Sequence, residues 1–108
     1  MKNQITFKDA WGKTFILVLS KGSYSNGNTA IILDTIEGEP FATLSVNIAK
    51  LPPEQITVDI NNCSLELIQA LLNNNVLTLT ERKIRSGFCE YPIANITQEW
   101  LEIIPELA

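Results

Sequence analysis

The sequence predicts an α+β fold in which a mostly antiparallel β-sheet packs against one main helix. Stretches of alternating apolar and polar residues, typical of half-buried strands, recur along the chain. Two glycine-containing turn signals, Asn26-Gly27 and Gly38-Glu39, separate successive stretches. One segment after Ser64 has its apolar residues at helical spacing. Together these observations predict a meander of about four strands, one main helix on a sheet face, later strands, and a short C-terminal helix.

The stretch 28–48 predicts the hairpin around which the sheet is built. From Ala42 to Ile48 every second residue is apolar, so one face of this strand is expected to be buried. Glycine in the first position of Gly38-Glu39 favours a two-residue turn of type II′. This turn pairs Leu33 with Leu44, and we expect the two side chains to face each other in the core.

Two strands are expected before this hairpin. Ile5 and Phe7 alternate with polar residues, and a long strand follows from Lys13 to Tyr24. Asn26-Gly27 predicts a two-residue type I′ turn. The resulting register gives the meander two apolar faces, one with Ile16, Val18, Tyr24, Ile31, Leu33, Leu44 and Val46, the other with Phe15, Leu17, Leu19, Ile32, Ile36 and Phe41. An apolar patch of the size of the second face is rarely left exposed to water, so we expect the C-terminal helix or a partner to cover that face.

The second half of the chain predicts the remaining elements. Ile56 to Ile60 alternates like a strand, and Ser64 is the expected N-cap of a helix that ends at Asn73. The segment from Thr78 to Ser86 is polar and irregular in pattern, so an edge strand is one reading of it. Phe88 to Ile96 predicts a last strand, which Pro92 assigns to a sheet edge. Thr97 is expected to cap a short amphipathic helix that carries Trp100, Ile104 and Leu107.

Composition bounds the class of protein. With 108 residues and a net charge of −4, we expect residues 1–108 to form a single domain with its own core. The N-terminus lacks the apolar core of a signal peptide and no run is long enough to span a membrane, so we expect a cytoplasmic protein without a membrane partner. Cys63 and Cys89 are too few for a disulfide framework and are expected to be thiols.

The residue types argue against catalysis. The chain has no histidine, which is the commonest general base and metal ligand, and it lacks a phosphate-binding loop or a nucleophile motif. Cys63 precedes a helix N-terminus, where a thiolate is stabilised, but a small buried side chain behind the cap is the favoured reading. We therefore expect no enzyme activity, no cofactor and no metal.

Candidate binding residues cluster late in the chain. Arg82, Lys83 and Arg85, close to Phe88 and Tyr91, combine charge with aromatic surface, as single-strand nucleic-acid sites do. Three basic residues are few for that purpose, and the overall acidity argues against a nucleic-acid partner; a solvated loop is the plainer explanation. Trp100 is expected to anchor the last helix, although tryptophan is also enriched at protein interfaces.

Three stretches together resemble a family of small bacterial proteins of unknown function, carried mainly by plasmids, integrative elements and prophages. They are Glu37 to Asn47, the segment from Val58-Asp59 through Asn61-Asn62 into the helix, and Arg82 with Ser86-Gly87-Phe88 and Tyr91-Pro92-Ile93. The family tends to have glycine where this chain has Asn75 and Glu81. The resemblance implies a mobile-element setting and supplies no activity.

These expectations combine into one functional hypothesis. The chain is expected to be a non-enzymatic protein-binding module, an accessory or counter-defence factor of a mobile element, of the anti-CRISPR or anti-restriction type. Its partner would be another protein or a second copy in a homodimer. The alternative is weak nucleic-acid binding through the loop that carries Arg82, Lys83 and Arg85.

Overall fold

Two antiparallel sheets and two helices make up the chain in a computed structural model, which describes residues 3–107. The first sheet is a meander whose four strands lie in chain order: β1 (Gln4–Lys8), β2 (Thr14–Ser23), β3 (Thr29–Thr35) and β4 (Pro40–Thr43). The later elements are β5 (Gln55–Thr57), α1 (Leu65–Asn73), β6 (Leu77–Ser86), β7 (Cys89–Ile96) and α2 (Gln98–Ile103). The predicted α+β class, with its four-stranded meander, main helix and short C-terminal helix, is confirmed.

The later strands form a second sheet with the order β5-β7-β6. A short segment after β4 links the two sheets: the Leu44 N–H donates to the Ile31 carbonyl at 2.8 Å, and the Val46 N–H donates to the Thr57 carbonyl at 2.9 Å. The chain therefore leaves the first sheet at Leu44 and joins the edge of the second at Val46. This crossing brings both sheets around one core.

Each hairpin turn of the first sheet contains three residues and ends in glycine. Gly12, Gly27 and Gly38 have φ angles of 83°, 88° and 92°, the left-handed conformation that glycine adopts without steric cost. In the second turn the Gly27 N–H donates to the Tyr24 carbonyl at 2.9 Å, and the Tyr24 N–H donates to the Asn28 carbonyl at 2.8 Å. This is the three-residue loop with glycine last, so the predicted two-residue turns at Asn26-Gly27 and Gly38-Glu39 are wrong.

The longer turns change which face of β2 is buried. Leu19 lies opposite Leu33, and Leu17, Leu19 and Leu33 are all fully buried, whereas Ile16 is 43% exposed. Because a one-residue slip exchanges the two faces of a strand, the predicted grouping of Leu17 and Leu19 on a second apolar face is wrong. The face that carries Leu17, Leu19 and Leu33 is the buried one.

The third turn also shifts the register of the central hairpin. Leu33 lies opposite Ala42, and a bulge separates this pair from that of Asp34 with Pro40. The predicted direct pairing of Leu33 with Leu44 is therefore wrong by two residues. A shift of two keeps each side chain on its face, and both leucines are fully buried.

Helix α1 covers the core as predicted. The Ser64 hydroxyl accepts a hydrogen bond from the Leu67 N–H at 3.1 Å, which caps the first turn. Leu67, Ile68 and Leu71 are buried. Leu65, whose helical spacing predicts that it shares their apolar stripe, is 73% exposed instead.

The C-terminal helix closes the same core. Thr97 caps α2, and Trp100 and Ile104 are buried among the core residues. After the helix the tail runs beside β2, where the Lys21 N–H donates to the Pro105 carbonyl at 2.9 Å. Leu107, expected to point inward with Trp100 and Ile104, is half-exposed instead. The helix therefore seals one end of the core and does not cover a second sheet face.

Three phenylalanines form a cluster inside the first sheet. The ring centroid of Phe7 lies 6.1 Å from that of Phe15 and 5.9 Å from that of Phe41, and the Phe15 and Phe41 centroids are 5.0 Å apart. These separations are typical of favourable aromatic pairs. The cluster joins strands β1, β2 and β4 beside the main core.

Candidate functional site

Strands β6 and β7 form a hairpin whose tip is a two-residue turn. Ser86 lies opposite Cys89, which leaves Gly87 and Phe88 as the loop, and Gly87 has a φ of 63°. Glycine in the first loop position is the arrangement of a type II′ turn. The Phe88 side chain is fully exposed. The turn chemistry that was predicted for Gly38-Glu39 therefore occurs at the tip of this later hairpin.

Strand β7 is the central strand of its sheet, so the edge position predicted from Pro92 is wrong. The Pro92 carbonyl accepts a hydrogen bond from the Val58 N–H at 2.9 Å, so the backbone of Pro92 is directed toward β5. The last pair between β5 and β7 is Thr57 with Ile93, and the proline nitrogen lies beyond it. The missing N–H leaves no acceptor unpaired, because the Val58 carbonyl that it would meet accepts a hydrogen bond from the Ile60 N–H at 3.0 Å instead.

The direction of Pro92 fixes the hydrogen-bonding pattern of β6. Because the polar groups of Pro92 are directed away from β6, its pair with Lys83 is the non-hydrogen-bonded kind. By the alternation of antiparallel pairs, Ile84 exchanges hydrogen bonds with Tyr91, while the N–H and C=O groups of Lys83 and Arg85 are directed to the outer edge. Within residues 3–107 no strand pairs with that edge.

The three predicted basic residues do not form one patch. Lys83 and Arg85 are two apart on β6 and share a face, whereas Arg82 belongs to the opposite face. Glu90 lies opposite Arg85, on the face that Lys83 and Arg85 share. Lys83 lies opposite the uncharged Pro92. Two basic side chains beside one carboxylate displace few counterions from a phosphate backbone.

A backbone irregularity precedes these residues. The register of β6 against β7 shifts between Leu79 and Lys83, and Glu81 in this bulge has a φ of 71°. Asn75, which follows α1, has a φ of 61°. Asn75 and Glu81 thus both adopt the left-handed conformation, which glycine takes most easily.

The other two candidate residues are buried. Trp100 is 6% exposed and belongs to the core. Tyr91 is 9% exposed, and its hydroxyl accepts a hydrogen bond from the Asn61 side-chain amide at 2.7 Å. Burial, together with the nearby Cys89, raises the pKa of Tyr91. Of the six candidate binding residues, the four that are exposed on the hairpin are therefore Arg82, Lys83, Arg85 and Phe88.

The surroundings of the two cysteines indicate that they pack in the fold and are not activated as nucleophiles. Both are free thiols, and the Cys63 sulfur lies 3.5 Å from the Thr43 carbonyl oxygen. Burial, and secondarily the carboxylate of Asp59, raises the pKa of Cys63 to about 11. A thiol with this pKa is protonated at neutral pH, so the position before the helix does not activate it. Cys89 is partly exposed, with the Asn61 amide nitrogen 3.6 Å from its sulfur.

Other parts of the surface offer less. A shallow groove of about 410 Å³ lies between β1 and α1, lined by Lys8, Leu65, Glu66, Gln69, Ala70 and Asn73. The described residues contain no group of three side chains that could hold a metal ion. Nor does any helix between residues 3 and 107 have the length and apolar character needed to cross a membrane.

The fold defines a small α+β protein whose β6–β7 hairpin carries an exposed aromatic ring at its tip and, among the described strands, a free outer edge along β6. The model of a family described as a domain of unknown function (DUF4313) matches residues 18–103. This match covers most of the chain, from β2 to α2, and the chain therefore belongs to that family. Neither the curated proteins nor the solved structures gave a match.

Proposed function

We propose that the chain is a non-enzymatic protein-binding module and that its partner contacts the β6–β7 hairpin. The observation that carries this proposal is the full exposure of Phe88 at the hairpin tip. An exposed aromatic ring keeps its apolar surface in water, and burying that surface in a partner is favourable. Arg85 stands beside the tip, and aromatic and arginine side chains are the usual anchors of protein interfaces.

The setting of this function is a mobile genetic element. The resemblance of the three sequence stretches to proteins of plasmids, integrative elements and prophages supports it. An accessory or counter-defence factor, of the anti-CRISPR or anti-restriction type, acts in the cytoplasm on a protein of the host. A small protein without a histidine suits such a role, because blocking a host protein needs a surface rather than a nucleophile and base.

Affinity capture from host cells that carry the mobile element, and from cells cured of it, tests the proposal. The chain, its Phe88→Ala variant and a Trp11→Ala control are each used as bait. Trp11 lies in the β1–β2 turn and is 90% exposed, so the control also removes an exposed aromatic ring. We expect a protein that is retained by the chain and by Trp11→Ala and lost with Phe88→Ala. Equal retention by both variants would contradict the proposal.

The same samples test the alternative of nucleic-acid binding. Arg82, Lys83 and Arg85 lie on two faces of β6, which leaves that alternative with less support. Oligonucleotides titrated at several salt concentrations should show no binding that weakens steeply with salt. Salt-dependent binding that is lost with Arg82→Gln, Lys83→Gln and Arg85→Gln would favour the nucleic-acid function instead.

A further inference from the structure

The free edge of β6 combines two recognition features on the same residues. Lys83 and Arg85 direct their backbone N–H and C=O groups outward, as the position of Pro92 requires. Their side chains also share one face of the sheet and are exposed. An added strand would therefore meet unpaired backbone groups and two positive charges at the same two positions.

Positive charge at a sheet edge usually prevents pairing. Lysine on an edge strand repels or sterically hinders an incoming strand, and this protects proteins from aggregation. This protection depends on the charge of the incoming strand. A strand with carboxylates opposite Lys83 and Arg85 is attracted by the same positive charges that disfavour a neutral or basic strand. Lys83, which faces Pro92, has no carboxylate opposite it in β7, whereas Arg85 faces Glu90. Lys83 is therefore expected to favour a carboxylate on the added strand more strongly than Arg85 does.

We infer that this edge takes an extended acidic segment of the partner, which adds to the sheet as a further strand; the inference rests on the proposed function. Residues directly opposite Lys83 and Arg85 in such a strand are two apart and share their face. The segment is thus expected to carry acidic side chains at alternate positions. Phe88, at the end of the same hairpin, is placed to cover an apolar side chain beyond them. Strand addition of this kind supplies affinity through the backbone and specificity through alternate side chains.

Three synthetic peptides test the inference. One has glutamate at alternate positions separated by threonine, the second has the same composition with its glutamates consecutive, and the third has lysine in place of glutamate. Backbone amide NMR shifts of the full chain report the site, and titration reports the affinity. We expect the alternating peptide to shift the amides of Lys83 and Arg85, the consecutive peptide to bind about tenfold more weakly, and the lysine peptide to leave the spectrum unchanged.

Variants separate strand addition from simple attraction of charges. The double variant Lys83→Gln with Arg85→Gln should lose most of the affinity, while Lys8→Gln with Lys13→Gln, which removes the same charge elsewhere, should retain it. Lys83→Pro removes an outward N–H without touching the β6–β7 ladder, and it should also weaken binding. Lys83→Gln is the matched control, because it loses the same charge and keeps the N–H, and it should bind more tightly than Lys83→Pro. A thermal melt checks that the proline variant is folded, and Arg85→Pro compared with Arg85→Gln replaces this pair if it is not.

Several results would overturn the inference. They are equal affinity for the alternating and consecutive peptides, amide shifts away from β6, absence of binding, and a dimer in light scattering that Lys83→Pro converts to a monomer. The proposed function is tested independently of this inference. A partner that is captured through Phe88 while the peptides fail leaves the proposed function standing without the acidic strand. A partner captured independently of Phe88 contradicts the hairpin tip as the binding site even if the peptides bind along β6.

Discussion

The chain has four phenylalanines, and the structure uses them in two ways. Phe7, Phe15 and Phe41 pack against one another in the first sheet, with ring centroids 5.0 to 6.1 Å apart. Phe88 lies at the tip of the β6–β7 hairpin and is fully exposed. The tryptophans divide in the same manner, since Trp100 is buried and Trp11 is exposed. The residue type alone therefore does not show whether an aromatic side chain stabilises the fold or is available to a partner. Its position in a strand, a helix or a turn does.

The largest expected difference is between Phe7 and Phe88. Phe7→Ala removes a buried ring from the aromatic cluster and should lower the free energy of unfolding by about 3–5 kcal/mol. Phe88→Ala removes a ring without packing contacts to lose and should change it by less than about 0.5 kcal/mol. Urea unfolding of both variants measures the difference. A large loss of stability in Phe88→Ala would mean that the tip serves the fold.

The tryptophans give a second matched pair. Trp100→Ala empties a core position under α2 and should lower the free energy of unfolding by about 3 kcal/mol or more. Trp11→Ala, at an exposed turn, should leave it nearly unchanged. Guanidinium unfolding followed by circular dichroism suits both variants, because it does not depend on tryptophan fluorescence. Similar stabilities of the two would contradict the placement of α2 on the core.

The cysteines predict a pH dependence. Burial raises the pKa of Cys63 from 9.0 to about 11, so the unfolded thiol ionises before the folded one does. The contribution of Cys63 to stability is therefore complete below pH 9 and is lost as the pH rises from about 9 to about 11. Urea midpoints across this range should fall less in Cys63→Ala than in the wild type. Cys89→Ala is the control, and it should keep the component of the decline that Cys63 contributes.

The smallest expected effect concerns the bulge that precedes the candidate site. Glu81 has a φ of 71°, a conformation that costs a residue with a side chain about 1 kcal/mol more than glycine. Glu81→Gly should raise the free energy of unfolding by about that amount, and Asn75→Gly by less, since asparagine tolerates the conformation better. Urea unfolding decides this. A destabilising Glu81→Gly would indicate that the Glu81 side chain supports the hairpin.

The fold class was predictable from the sequence because the alternation of apolar residues and the helical stripe after Ser64 are strong local signals. The faces of β2 were not predictable, because Gly27 fits either the second position of a two-residue loop or the third position of a three-residue loop. At Gly27 the longer loop forms, and the register shift of one residue exchanges the two faces of β2. Pro92 failed as an edge signal because its nitrogen lies just past the end of β5.

The candidate site was predictable in part. Arg82, Lys83, Arg85 and Phe88 are exposed on one hairpin, as their nearness in the sequence suggested. The hydroxyl of the buried Tyr91 is hydrogen-bonded by Asn61, thirty residues away along the chain, and no local sequence pattern predicts such a contact. The outward direction of the Lys83 and Arg85 backbone depends on the pairing of three strands. The Gly87-Phe88 turn, by contrast, could have been found from the glycine-first rule applied one hairpin later.

Photo-crosslinking in host cells tests the central claim most directly, namely that the hairpin tip contacts a partner while the fold does not depend on it. A benzophenone amino acid replaces Phe88 in one variant and Trp11 in the other, and the crosslinked products are compared. We expect a discrete crosslinked protein from position 88 and none from position 11, with both variants folded. A product from position 11 alone, or identical products from both positions, would contradict it.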